Sequence, residues 1–94
     1  MGDLAGARAA YQDAWGRACA AFETVMAPAR ARYERAVAKA RQARKTDPKA
    51  MLPRAAVIEW QQAGREAATA FEGIEYPARQ AIDAVLAQHK GVSK

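Results

Sequence analysis

The chain is poor in the residues that do chemistry. It has one cysteine, Cys19, so no disulfide can close within it, and a single thiol fits a reducing compartment. Its one histidine, His89, has no orienting carboxylate or nucleophile close by in sequence. The expected place for His89 is a helix end or the edge of a packing seam, and that for Cys19 is a small buried position. There is no Cys-x-x-Cys, no Glu-x-x-His and no glycine-rich phosphate loop. Glu72 and Glu75 stand three apart without a histidine and read as solvated helix charges. No catalytic residue, metal ligand or cofactor is therefore assigned, and the chain is expected not to be an enzyme. No apolar run approaches membrane-spanning length, and the first residues lack the apolar core of a signal peptide. The expectation is a soluble, cytoplasmic protein with no integral membrane association.

Large side chains are scarce as well. Aromatics make up 7% of the 94 residues, and alanine supplies much of the apolar fraction. A chain of this size forms one small domain, and an alanine-rich one fills a long thin seam more readily than a thick core.

What the sequence does have is a ladder. Tyr11, Phe22 and Tyr33 stand eleven residues apart, beside Ala14, Val25 and Ala36, and then Ala18, Ala29 and Ala40. Eleven residues make almost three α-helical turns, so each rung returns to nearly one face. The ladder recurs 49 residues later as Trp60, Phe71 and Ile82, then Ala63, Ile74 and Val85, then Ala67, Ala78 and His89. Phe22-Glu23 matches Phe71-Glu72, and Pro28-Ala29-Arg30 matches Pro77-Ala78-Arg79 at the same offset. An internal duplication explains this better than chance.

The pattern predicts an all-α fold: an antiparallel hairpin of two long helices, about 4–45 and 53–90, with a turn over 46–52 and a tail over 91–94. Asp3 is the expected N-cap of the first helix, and Gly91 the terminator of the second. Thr46-Asp47-Pro48 predicts a capped helical turn ahead of the second helix. Pro28 and Pro77 are the difficulty, since a proline inside a helix costs roughly 3 kcal/mol. The ladder keeps its phase across Pro28, which favours kinked but continuous helices, while Gly73 weakens the helix ahead of Pro77 and makes a break more expected there. Breaks at Pro28 and Pro77, leaving three or four shorter helices, are the alternative.

Two features point towards function. Leu4, Trp15, Met26 and Val37 form a further eleven-step row, so the apolar face of the first helix is wider than one partner helix needs. That row is expected to bind a protein partner or to pair two hairpins into a four-helix bundle, making a homodimer. Charge is the second feature. The chain carries a net +5. From 30 to 54 it holds Arg30, Arg32, Arg35, Lys39, Arg41, Arg44, Lys45, Lys49 and Arg54 against only Glu34 and Asp47, a local +7, while the rest sums to −2. A hairpin gathers these cations at its turn. The expected function is a non-enzymatic protein-interaction module (an adaptor, inhibitor or regulator) that docks through the apolar face or the basic tip. The alternative is a small nucleic-acid-binding protein that uses the same basic segment, with salt-sensitive phosphate contacts.

Overall fold

The computed structural model describes residues 3–92. Two helices account for most of them: α1 spans Leu4–Arg44 and α2 spans Arg54–Val92. They pack along their whole length as an antiparallel hairpin, a rod measuring 71 × 20 × 17 Å. The length follows from the sequence: a 41-residue helix rising 1.5 Å per residue is about 61 Å long.

Local chemistry sets the ends. Asp3 caps α1, its carboxylate accepting from the Ala5 amide at 3.2 Å. Arg41 and Arg44 lie in the last turn of α1, where the helix dipole favours cations. The connection then tightens: the Asp47 carbonyl accepts from the Ala50 amide at 3.0 Å, and its carboxylate from the Lys49 amide at 3.0 Å. The expected helical turn at Pro48 is therefore a hydrogen-bonded turn instead. Pro53 supplies the reason. It biases Leu52 away from helical dihedrals, leaving too few residues after Pro48 for a helix. The Arg44 guanidinium closes the loop from outside by donating to the Ala50 carbonyl at 2.9 Å. At the far end α2 passes through Gly91 to Val92, and no glycine among the described residues has a positive φ. Gly91 is thus not a left-handed terminator, and positions 93 and 94 of the expected tail lie outside the described residues.

Both helices run unbroken through their prolines, Pro28 in α1 and Pro77 in α2. What the fold shows at these positions is continuity, so the three- and four-helix alternatives fall away. Each proline denies a donor to the carbonyl four residues back, that of Thr24 or Gly73. Pro28, Thr24, Pro77 and Gly73 are all exposed, so water can take the missing donor's place.

The seam is built from the small rungs. Ala18 and Ala67, 49 residues apart, are both fully buried at 0% exposure, and Ala14, Ala29 and Ala63 are buried beside them. Alanine lets the helix backbones approach closely, and the bulky rungs close over the flanks. Phe22, Val25 and Trp60 pack against the core formed by Met26, Ala29, Ala63 and Ala67. Tyr33 stacks on Trp60 with ring centroids 5.0 Å apart, and Trp15 meets Phe71 edge-on at 5.0 Å. Phe22 and Phe71 are both half-buried, as a zipped hairpin requires.

Candidate functional site

The turn end carries the charge. Arg32, Arg35 and Lys39 line one flank of α1, around a shallow groove of about 670 Å³ with Ala36 and Ala38 in its floor and Gln42 at its end. Helical spacing places them there, since residues three, four and seven apart share a face. Arg32 is committed to Glu59 across the hairpin, and Arg30 to Glu23 on its own helix at 2.5 Å. That bond is the main reason the Glu23 carboxyl lies below its ordinary range and the Arg30 guanidinium above its own. Arg35, Lys39, Arg41, Arg44, Lys45, Lys49 and Arg54 make no ion pair among the described residues, and all seven are exposed. Most of the unpaired cations therefore collect at one end of a rod whose remainder is slightly acidic.

The apolar row resolves differently. Leu4 and Val37 are half-buried, and Trp15 stays 47% exposed. Met26 is buried at 6% exposure inside the hairpin's own seam, so no partner can reach it without parting the helices. The wide face reduces to a patch around Trp15, Phe22 and Phe71. Cys19 sits on this patch and is exposed, which corrects the expectation that it would be buried. His89 is exposed in the last turns of α2, although alanines occupy its rung elsewhere.

Glu75 is the principal surprise. Expected to be solvated, it is buried at 7% exposure. The Tyr11 hydroxyl donates to its Oε2 at 2.8 Å, and Arg79 pairs with the same oxygen at 3.4 Å. The hydrogen bond to Glu75 is the leading reason the Tyr11 phenol titrates above its usual range, with burial adding to it. Position 75 is the 49-residue counterpart of Met26, and Tyr11 the counterpart of Trp60. Where repeat 1 supplies Met26 near Trp60, repeat 2 supplies Glu75 bonded to Tyr11. The offset was available in the sequence and would have set Glu75 in the apolar row with Met26, apart from the solvated charges.

Among the described residues, no three His, Cys, Asp or Glu side chains gather into a possible metal site. No described helix is long and apolar enough to cross a membrane. The geometry defines a class, an all-α helical hairpin with a basic end and an aromatic face. The chain matches no family model, no curated protein and no solved structure.

Proposed function

We propose that this chain is a non-enzymatic interaction module of the cytoplasm whose basic end docks an acidic segment of another protein. The supporting observation is the cluster of seven exposed cations at the turn end that make no ion pair among the described residues, with only Glu34 and Asp47 in the same segment to oppose them. The groove on α1 adds shape: an alanine floor between Arg32, Arg35 and Lys39 accepts a slender acidic helix or strand. Such contacts raise the association rate and weaken with salt. Titrating a labelled Glu-rich peptide at low and at moderate salt tests the proposal. Salt-sensitive binding that disappears in an Arg35→Glu, Lys39→Glu variant is the expected result, and no binding at low salt refutes it. Arg32 is left intact because its pairing with Glu59 also ties the two helices together.

The second reading keeps the same surface and changes the partner to nucleic acid, on the strength of the local +7. Tyr33 and Trp60, the aromatics closest to the cations, are stacked on each other rather than presented to bases. Binding would then rest on phosphates alone. A gel shift at low salt separates the readings, since no retardation excludes nucleic acid. Self-association through the aromatic face completes the proposal.

A further inference from the structure

The hairpin leaves more surface uncovered than a compact protein of its mass. Its accessible area is 7134 Å² for 10.2 kDa, whereas a compact monomer of that mass exposes roughly 5,300 Å². No large side chain is fully buried among the described residues. The excess exceeds the ~800 Å² that each partner contributes to a standard stable interface.

The uncovered surface has a centre. A groove of about 440 Å³ is lined by Cys19, Phe22, Glu23, Ala68, Phe71 and Glu72. These are three pairs, each 49 residues apart. In an antiparallel hairpin made of two copies of one pattern, residues 49 apart are related by an approximate twofold axis running between the helices. The groove therefore straddles that axis, and a partner that fills both halves alike must itself present twofold-related surface.

One pair on this face is unequal. Trp15 projects beside the groove, edge-on to Phe71 and half exposed, while its counterpart is Gly64. A Cβ built on Gly64 would meet nothing within 4 Å. The face thus carries a knob on α1 and a vacant place at the twofold-related point on α2. The line joining them runs more lengthwise than across, about 15 Å along the rod for roughly ten residues in the register set by Trp15 on Phe71 and Tyr33 on Trp60, against the 8–10 Å that separates packed helices. A second hairpin laid face to face, about a twofold perpendicular to that line, seats each Trp15 over the other copy's Gly64. That axis is tilted about 30° from crosswise, so the two rods cross at roughly 60° with their turns directed away from each other. Electrostatics favours the same choice, since it keeps the two +7 ends apart.

We propose that the aromatic face is a homodimer interface, with two hairpins crossed and their turns directed apart, Trp15 of each on Gly64 of the other and the Phe22–Phe71 grooves apposed. This deepens the self-association reading above by naming its surface and geometry. The dimer presents two basic ends held well apart. Its value as a two-ended clamp for acidic partners rests on the proposed role of the basic end, whereas the pairing itself does not.

Sedimentation velocity up to about 200 µM, with far-UV circular dichroism on the same samples, tests the pairing. The expected result is a wild-type dimer that dissociates on dilution. Trp15→Ala and Gly64→Trp should each weaken it at least tenfold with helicity retained. The exchange variant, Trp15→Gly with Gly64→Trp, moves knob and hole to each other's places and should associate more tightly than either single variant. Dyes at residue 49 in a Cys19→Ser, Lys49→Cys chain should show weak energy transfer, because the turns of the crossed pair are directed apart. A wild-type monomer throughout the range, variants that associate as tightly as wild type, or strong transfer between turns would each overturn the proposal. So would a monomer whose Trp15 emission shifts to the blue on adding zwitterionic vesicles, which would assign the face to lipid. A monomer that still binds the Glu-rich peptide would overturn the pairing and leave the basic end's role intact.

Discussion

Glu75 offers the sharpest test of how the seam works. Its carboxylate is buried between the helices and held by Tyr11 and Arg79, in the position where the first repeat carries Met26. Replacing a buried, paired charge by an apolar side chain of similar volume is neutral or stabilising by about 1–4 kcal/mol in other systems. Arg79 is only half covered and can return to water, so Glu75→Met should fall at the low end, between no change and a gain of about 2 kcal/mol. The reverse change is not symmetric. Met26→Glu buries a carboxylate in a cluster with Trp60, which has no hydroxyl to offer. An uncompensated buried charge costs about 3–5 kcal/mol, most of the stability of a small domain. Urea unfolding followed by circular dichroism, at fixed chain concentration, reads both. Tyr11→Phe should destabilise the wild-type chain and leave the Glu75→Met chain unchanged, since the bond it removes is then already gone. The reasoning fails if Met26→Glu is tolerated within about 1 kcal/mol or if Glu75→Met costs more than about 2 kcal/mol.

Other outcomes follow from the same geometry. Ala67→Leu places three extra carbons at a fully buried point between two backbones and should cost about 1–3 kcal/mol by overpacking, visible as a lower urea midpoint. Gly73→Ala adds a Cβ that meets nothing within 4 Å, in mid-helix, and should stabilise by about 0.5–1 kcal/mol. The raised Tyr11 phenol gives a pH dependence with a definite sign. The folded chain holds that proton more tightly than the unfolded one, so the contribution is complete below the unfolded pKa of about 10 and is lost as pH rises through the folded value. Thermal melts between neutral and strongly alkaline pH should lose less stability in Tyr11→Phe than in wild type.

The architecture was legible because alanine and aromatic rungs at a three-turn spacing mark one helix face whatever lies opposite. That is why the expected bounds, 4–45 and 53–90, lie within two residues of Leu4–Arg44 and Arg54–Val92. Phase conservation across Pro28 likewise separated a continuous helix from a broken one. Two aspects were not legible from one helix at a time. An angular position does not say on which side of the stripe the partner helix crosses, so Met26 looked available when it is enclosed, and Cys19, one position beyond Ala18, looked enclosed when it is open. Nor does local spacing reveal a donor 64 residues away, so Glu75 looked like an ordinary solvated charge. The basic end was legible in position but not in pairing: Arg32 and Arg30 lie where expected and already have carboxylates.

The lengthwise zipping of the two repeats is the claim on which the rest depends, and a distance measurement reaches it most directly. Spin labels at the exposed positions Ala9 and Ala84, in a Cys19→Ser chain diluted with unlabelled protein, report the separation of the helices far from the turn. Helix axes 8–10 Å apart, plus two label arms, predict one narrow distribution centred at roughly 20–25 Å. A broad distribution, or a maximum beyond roughly 50 Å as for two helices splayed from the turn, would contradict the hairpin and every surface derived from it.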